Sequence, residues 1–287
     1  MMHFLKNVIK KTKYGQKIAI TNRFLKTHGY PLNYSNPETL NEKIQWIKLY
    51  GKPERFAKYV DKFEVRSYVK FKIGEEHLIP LIGVYKSSEE VDFDKLPESF
   101  IIKATHASGW NFIVKQKSKV DLQRVREKID YWSQSSFYKV GFERNYKPLK
   151  GRVVIEKLIN DPSGDLMDYK FFCFHGEPTF IQVDGERFEN HKRNIYNLDW
   201  VKYESEYAFP NFSHPIEKPK MLNQMIDLAR SLSEDFAFVR VDLYCTEGKI
   251  FFGELTFTPD NGFGKFSDIK LDKSFGKKLD LKQYNKY

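Results

Sequence analysis

Two neighbouring stretches decide how this sequence is interpreted: FAFVRVDLYC at residues 236–245 and KIFFGELTFT at residues 249–258. Both are rich in aromatic and β-branched residues, which is typical of β-strands. The three residues between them include Gly248, which tolerates a left-handed backbone. The sequence therefore predicts a β-hairpin closed by a three-residue loop with a bulge.

The predicted hairpin carries charged side chains at alternate positions. With a three-residue loop, Arg240 lies opposite Glu254 and Asp242 lies opposite Phe252. Because side chains alternate across a strand, Arg240, Asp242, Glu254 and Thr256 then share one face. Carboxylate oxygens suit Mg²⁺, so we expect an Mg²⁺ site here. An exposed cross-strand Arg–Glu pair is the simpler alternative, and a two-residue turn would place Asp242 and Glu254 on opposite faces.

The composition limits the class of protein. The chain has 287 residues, of which 41% are hydrophobic and 30% charged, with two cysteines. This length allows one large α/β unit or two to three packed lobes and excludes a small disulfide-stapled scaffold. Cys173 and Cys245 have no metal-ligand spacing, which favours a reducing cytoplasm. No apolar run is long enough to span a membrane, and we expect neither a membrane span nor a cleaved leader.

The net charge of +10 is concentrated at the two ends of the chain. Seven basic residues and no acid precede Glu38, and residues 270–287 carry six lysines against two acids. The middle of the chain is close to neutral, which argues against a nucleic-acid-binding protein. The basic ends indicate contact with an anionic polymer or with the inner face of the cytoplasmic membrane, although solvated terminal helices would have the same composition.

The hydrophobic periodicity predicts a mixture of helices and strands. Helix patterns occur at residues 3–27, after Ser35-Asn36-Pro37-Glu38 as far as Gly51, from Pro53 to about Phe71, at 121–133, and last at 219–232. Strand patterns occur at residues 77–85, 99–105, 111–115, 151–158, 168–174, 178–183, 236–245 and 249–257. We see no internal repeat, so this order predicts an α+β or mixed α/β architecture with much antiparallel sheet.

Three upstream strands have features that suit phosphate or nucleotide binding. FIIKATHASGWNFIV at residues 100–114 places Lys103 beside a glycine-containing turn, where backbone N–H groups can approach phosphate oxygens. GRVVIEKLI at residues 151–159 contains an apolar strand that ends in Glu156 and Lys157. DYKFFCFHG at residues 168–176 presents an aspartate and a lysine on one face. Taken singly, each is equally typical of an ordinary strand.

Taken in order, these segments resemble the ATP-grasp superfamily, and within it the TupA-like group associated with bacterial surface polysaccharides. The resemblance runs from about Leu40 to Gly276. It implies an α+β ATP-grasp fold, in which two α+β lobes with antiparallel sheets hold ATP between them after a helical N-terminal segment. It divides the chain into a basic helical segment at 1–75, a lobe with a phosphate-covering hairpin at 76–157, and a C-terminal lobe with the Mg-ATP and substrate site at 158–287.

The resemblance also implies roles for individual residues. Lys103 and Lys170 hold the ATP phosphates, which the backbone of Ser108 and Gly109 covers. Glu156 and Lys157 lie at the adenine. The implied ATP-binding set is Lys103, His106, Ser108, Gly109, Glu156, Lys157, Ile159, Asp168 and Lys170. The implied metal ligands are Asp242, Glu254 and Thr256, where Thr256 replaces the asparagine of many relatives. Arg240 and Lys170 are the implied catalytic residues, and Arg240 stabilises a tetrahedral intermediate.

The implied function is an ATP- and Mg²⁺-dependent carboxylate–amine ligase that acts through an acyl phosphate. The implied partners are an anionic sugar or polysaccharide precursor, such as one containing a uronic acid, and a small amine. A sugar or glycolipid kinase, or a protein associated with a glycosyltransferase, is the alternative on the same scaffold. Arg240 beside the carboxylates favours the ligase, because it suits the negative charge of an acyl-transfer intermediate.

Overall fold

The computed structural model describes residues 12–159, 161, 164, 166–186 and 190–284. The first described helix, α1 (Lys13–His28), begins at Thr12, whose side chain accepts a hydrogen bond from the N–H of Gly15. The helix ends at Gly29, which has a left-handed conformation. The start of the helix predicted at residues 3–27 lies outside the described residues, together with three of its lysines (Lys6, Lys10 and Lys11).

Helix α2 (Leu40–Tyr50) begins later than its start signal predicted. The cap is Thr39 and not Ser35 or Asn36, because the Thr39 hydroxyl accepts from the N–H of Glu42 while the Glu42 carboxylate accepts from the N–H of Thr39. This reciprocal pair satisfies two of the N–H groups that a helix start leaves free. The helix ends at Gly51 as predicted.

The single helix predicted from Pro53 to Phe71 is wrong, since three pieces take its place. A 3₁₀ turn (Pro53–Phe56) leads into the short helix α3 (Ala57–Val60), and α4 (Val65–Ile73) follows after a break. The break is at Asp61, whose backbone is extended and whose carboxylate accepts the N–H groups of residues 63 and 64. Local side-chain bonds of this kind compete with helix continuation.

A four-stranded antiparallel sheet follows. It contains β1 (Leu81–Tyr85), β2 (Phe100–Ala104), β3 (Asn111–Val114) and β4 (Val153–Lys157), in the order β1-β4-β2-β3. Helix α5 (Leu122–Gln134) packs against this small sheet and buries Val125, Ile129 and Trp132. The short helix α6 (Tyr138–Gly141) follows.

The second, large sheet has six antiparallel strands in the order β10-β9-β5-β6-β7-β8. The strands are β5 (Asp168–Phe174), β6 (Glu177–Gly185), β7 (Lys192–Tyr196), β8 (Lys202–Tyr203), β9 (Phe238–Thr246) and β10 (Lys249–Thr256). Helix α7 (Leu222–Ser233) packs against β5, β6 and β9. The sequence did not predict β7 or β8, and two further helices follow the one predicted as last: α8 (Ile269–Lys278) and α9 (Leu281–Tyr284).

The architecture is therefore α+β with two antiparallel sheets and an N-terminal helical segment, which confirms the predicted fold class. The small sheet is drawn from residues 81–157 and the large sheet from residues 168–256. The division into functional lobes at 75 and 157 stays a prediction. None of the helices within the described residues is long and apolar enough to cross a bilayer.

The contact between α2 and α8 gives a stability prediction. A Cβ atom on Gly276 would lie 2.0 Å from the carbonyl oxygen of Glu38 and 2.8 Å from the carbonyl carbon of Thr39. Because these are backbone atoms, Gly276→Ala has to push the two helices apart. We expect a loss of about 1–3 kcal/mol in the free energy of unfolding, measured by urea denaturation. The control is Lys277→Ala on the exposed side of α8, whose free energy of unfolding is expected to stay within about 0.5 kcal/mol of wild type. A Gly276→Ala variant as stable as wild type would contradict the close contact between the two helices.

Candidate active site

The turn between β9 and β10 differs from the prediction. Thr246 pairs with Lys249, so the loop consists of Glu247 and Gly248 alone, with φ values of 49° and 71°. Two consecutive left-handed residues form the turn that matches the twist of a hairpin. The predicted three-residue loop is therefore wrong, and so are the cross-strand pairs derived from it.

A β-bulge at Gly253 restores the predicted face. The strand pairing shifts between Phe252 and Glu254, so that Glu254 lies opposite Asp242 and Thr256 lies opposite Arg240. Without this extra residue, a two-residue turn would direct Glu254 to the opposite face. Arg240, Asp242, Glu254 and Thr256 do share one face, for a reason that the sequence alone did not indicate.

Arg240 connects all the other predicted residues of this hairpin. Its Nε and Nη2 atoms lie 2.7 Å from the two carboxylate oxygens of Asp242, which is the geometry of a bidentate pair. Nη2 also lies 3.1 Å from Glu254 Oε1 and 3.1 Å from Thr256 Oγ1. Both Arg240 and Asp242 are buried. The guanidinium is thus held in place by the two predicted metal carboxylates.

Strand β5 brings Lys170 and Asp168 to the same group. Lys170 lies opposite Asp242 in the strand pairing, and its Nζ atom is 2.8 Å from Asp242 Oδ2. It also donates to the Asp168 carboxylate. Burial lowers the pKa of Lys170, but the two neighbouring aspartates outweigh burial and raise it above its usual range. Lys170 therefore remains a cation inside the protein.

The two predicted metal carboxylates have different electrostatic surroundings. Burial raises the pKa of Asp242 to about 6, despite Arg240 and Lys170. Burial also acts on Glu254, but there Lys62, Arg240 and Lys170 outweigh it and lower the pKa to about 2. Glu254 is therefore a stable carboxylate at neutral pH.

Lys62 is a residue of the site that sequence reasoning missed. It follows Asp61 at the break between α3 and α4, and its Nζ lies 4.0 Å from Glu254 Oε2. The same Nζ donates to the carbonyl of Ala107, 2.6 Å away, in the turn between β2 and β3. Burial lowers the pKa of Lys62. The sequence predicted one continuous helix from Pro53 to about Phe71. Nothing in that pattern indicated that Lys62 lies between the two sheets.

On the small sheet, Lys103 forms a second ionic group. Its Nζ lies 2.8 Å from Glu156 Oε2, and Arg66 Nη1 lies 3.0 Å from Glu156 Oε1. Glu156 is buried between these two cations. Its side chain thus orients Lys103, and Arg66 is a further neighbour that the sequence did not indicate.

A cleft of about 940 Å³ lies between the two sheets. Lys103 and Ile101 on β2, Ile113 on β3, Lys157 and Ile159 at the end of β4, and Tyr244 on β9 are among its lining residues. The volume is within the range of small-molecule sites. Lysines and aliphatic side chains in one cleft suit a ligand with both a phosphate and an apolar ring.

The residues of the β2–β3 turn that were predicted to bind ATP do not line this cleft. Ser108 and Gly109 are exposed at the tip of the turn and do not line this cleft. His106 is buried, with Nε2 3.1 Å from the carbonyl oxygen of Ser135 and its ring edge-on to Trp110. Burial lowers the pKa of His106, so its ring is neutral at pH 7. In this geometry His106 supports the turn.

The donor set fits Mg²⁺ together with phosphate oxygens. Asp242, Glu254 and Thr256 supply only oxygen atoms, which a hard cation prefers. Asp168 adds a third carboxylate beside Asp242, so three carboxylates lie among the three cations Arg240, Lys170 and Lys62. Within the described residues no three His, Cys, Asp or Glu side chains could together hold a metal ion. Phosphate oxygens and water would therefore complete the shell of a bound Mg²⁺.

Two antiparallel sheets with a lysine-lined cleft between them agree with the architecture that the resemblance to the ATP-grasp class implies. The family profile described as TupA-like ATPgrasp matches residues 42–280. This match covers most of the chain, and the chain belongs to the TupA-like ATP-grasp family. No curated protein matches the sequence.

Similar solved structures include two D-alanine-specific enzymes and one other ligase. D-alanyl-alanine synthetase A from Vibrio cholerae is 13% identical, with 86% of this chain and 72% of that chain covered and a TM-score of 0.46. D-alanine–D-alanine ligase from Bacillus anthracis complexed with ATP is 15% identical, with coverages of 69% and 53% and a TM-score of 0.42. The ATP-grasp ligase PsnB with its minimal precursor is 11% identical, with coverages of 80% and 62% and a TM-score of 0.43. The chain thus spans 53% of the Bacillus anthracis ligase and 62% of PsnB, which is less than two thirds of each.

Proposed function

We propose that the protein is an ATP- and Mg²⁺-dependent ligase that joins a carboxylate to an amine through an acyl phosphate. The observation that carries this proposal is the ion-paired group on the large sheet, in which buried Arg240, Asp242 and Lys170 meet the partly exposed Glu254. Membership of the TupA-like ATP-grasp family supports it. The carboxylate is activated first, because its oxygen is a poor leaving group until it is phosphorylated.

The site residues divide this chemistry among them. Lys62, Lys103 and Lys170 neutralise phosphate charge, and their fixed positions lower the cost of bringing anions together. Asp242, Glu254 and Thr256 would hold Mg²⁺, which supplies further neutralisation of the phosphate oxygens. Arg240 stabilises the negative oxygen that develops when the amine attacks the acyl carbon. The protein needs no covalent nucleophile of its own.

For the substrates we propose a uronic acid of a bacterial surface polysaccharide, or its precursor, and an amine such as an amino acid. The TupA-like family is associated with such polysaccharides, and a uronic acid supplies the carboxylate that the reaction requires. The excess of basic residues at both ends of the chain supports an anionic substrate, because opposite charge raises the rate of encounter.

The activity can be tested without knowing the amine. The protein is incubated with Mg-ATP, glucuronic or galacturonic acid, and hydroxylamine, which traps an acyl phosphate as a hydroxamate. We expect ADP and a hydroxamate, detected by mass spectrometry. Asp242→Asn and Glu254→Gln keep the side-chain shape and delete an anionic metal ligand, so each is expected to remove most of the turnover.

Glu247→Gln is the matched control, since Glu247 is an exposed acid in the turn of the same hairpin. It is expected to keep wild-type turnover. Near-wild-type activity of both site variants would mean that the hairpin carries no chemistry. A phosphorylated hydroxyl as the stable product would favour a sugar kinase instead.

Lys103 and Arg240 are expected to act at different stages. Lys103→Ala removes a cation from the phosphate end of the cleft and is expected to weaken ATP binding, measured by calorimetry, as well as turnover. Arg240→Ala is expected to slow amide formation by about 10²–10³-fold, the effect of removing one oxyanion donor, with little change in ATP affinity. Loss of ATP binding in Arg240→Ala but not in Lys103→Ala would reverse both assignments.

We also propose that α1 lies against the anionic face of the cytoplasmic membrane. Tyr14, Ile18 and Leu25 are exposed by 74%, 41% and 49%, although they are apolar. Lys17 and Lys26 are exposed on the same helix. Apolar side chains flanked by lysines are typical of helices that bind the membrane interface, where the apolar groups enter the lipid and the lysines meet the headgroups.

Vesicle sedimentation tests this surface. We expect the protein to bind vesicles containing phosphatidylglycerol and to stay free with pure phosphatidylcholine. Replacing Ile18 and Leu25 with serine is expected to reduce the bound fraction several-fold. Val201→Ser, at an apolar residue outside α1 that is 62% exposed, is the matched control and is expected to leave vesicle binding unchanged. Equal binding to both lipids, or none, would contradict the proposal.

A further inference from the structure

Glu143 is a buried carboxylate that has no part in the reaction described so far. It precedes the 3₁₀ turn Arg144–Tyr146 and is 8% exposed. Its Oε2 accepts a hydrogen bond from the hydroxyl of Thr258. Thr258 lies two residues after Thr256, whose hydroxyl is bonded to Arg240. Glu143 is therefore joined to the segment that leaves the reactive face.

The charged and titratable groups around Glu143 come from three parts of the structure. They are Lys48 on α2, Arg240 and Glu254 on the large sheet, and Tyr146 on its own segment. Burial, with a smaller contribution from Glu254, raises the pKa of Glu143 against the opposing effects of Thr258, Lys48 and Arg240. Burial likewise lowers the pKa of Lys48 to about 7.

Glu143 differs from the other carboxylates near the site. Asp242 and Glu254 are ion-paired with Arg240, and Glu156 is ion-paired with Lys103. Among the residues that the structure describes, no lysine or arginine forms a salt bridge with Glu143. A buried carboxylate without an ion pair costs folding free energy, and such groups are concentrated at functional sites.

The second half of the proposed reaction requires a base. The amine arrives as an ammonium ion, which has no lone pair with which to attack the acyl carbon. Arg240 and Lys170 are cations, while Asp242 and Glu254 are held by Arg240 and are needed for the metal. Asp168 is paired with Lys170. Among the carboxylates that the structure describes around this group, Glu143 is the one that accepts a hydroxyl hydrogen bond and has no salt bridge to a cation.

We propose that Glu143 is the base that accepts a proton from the amine substrate, an inference that rests on the proposed ligase function. Glu143 removes one N–H proton from R–NH₃⁺, and the freed lone pair forms the C–N bond with the acyl carbon. The tetrahedral intermediate then breaks its C–O bond, and the electron pair leaves with the phosphate. The second N–H proton departs with the phosphate as HPO₄²⁻, which leaves an amide and protonated Glu143.

A purely structural role is the alternative, in which Glu143 only fixes the segment after Thr258. That segment contains Asp260 and Asn261, which have left-handed φ values of 46° and 56° and so need support. Glu143→Gln separates the two roles. Glutamine can still accept the Thr258 hydrogen bond through its side-chain oxygen, but it cannot accept the proton.

The test compares two nucleophiles on the same acyl phosphate. Hydroxylamine is largely unprotonated at neutral pH and needs no base, whereas an amino acid needs one. Wild-type protein and Glu143→Gln are incubated with Mg-ATP, glucuronic or galacturonic acid, and either hydroxylamine or a pool of amino acids. We expect the variant to keep hydroxamate formation within a few-fold of wild type and to lose about 10²–10⁴-fold in amide formation, the contribution of a general base.

The controls distinguish this inference from the proposed function. Absence of hydroxamate with wild-type protein would overturn the ligase itself. Equal loss of hydroxamate and amide in Glu143→Gln, or no loss of amide, would overturn the role of Glu143 alone. Thr258→Val removes the hydrogen bond and keeps the carboxylate, so it is expected to retain amide formation.

A wild-type measurement keeps the inference testable if Glu143→Gln does not fold. The rate of amide formation should fall as the pH is lowered through one ionisation, because protonated Glu143 cannot accept a proton. Above that ionisation the rate should not change with pH, because the bound amine stays an ammonium ion and Glu143 removes its proton, whereas attack by free amine without a base would fall about tenfold for each pH unit throughout. A fall of that size with no plateau would overturn the role.

Discussion

The pairing of Asp242 with Arg240 and Lys170 is the interaction on which the site depends. All three side chains are buried on one face of the large sheet, where an unpaired charge is several kcal/mol less stable than in water. Because both oxygens of Asp242 accept from cations, the two cations are fixed relative to it and to each other. The opposite face of the same strands packs against α7, as the contact between Cys173 and Ala229 illustrates. Because successive side chains of β5 and β9 point to opposite faces of the sheet, one face belongs to the apolar core and the other carries the charged site.

Much of this arrangement could be predicted from local patterns. The strands that carry Lys103, Lys170 and Asp242 are apolar runs with one charged residue in the first and two at alternate positions in the other two, and the structure has strands there. The shared face of Asp242 and Glu254 was also predicted. Regular alternation is a strong signal because it reflects the geometry of the strand itself.

Features that depend on a single turn or on distant residues could not be predicted. The bulge at Gly253 and the two-residue turn each change the pairing by one residue, and only their combination gives the observed face. The break at Asp61 depends on the hydrogen bonds that its carboxylate accepts from two backbone N–H groups, and it overrides a continuous helical pattern. Lys62 and Glu143 reach the site from segments far away in sequence, so no spacing rule connects them with Arg240.

The position of Lys62 has a consequence for how the molecule unfolds. This residue touches Ala107 beside the small sheet and Glu254 on the large sheet, while Asp61 next to it bonds Thr105. The N-terminal segment therefore joins the two sheets. When one segment stabilises two substructures, neither can melt without weakening the other. The chain should accordingly lose its structure in a single cooperative transition, with hydrogen exchange of both sheets limited by the same global opening.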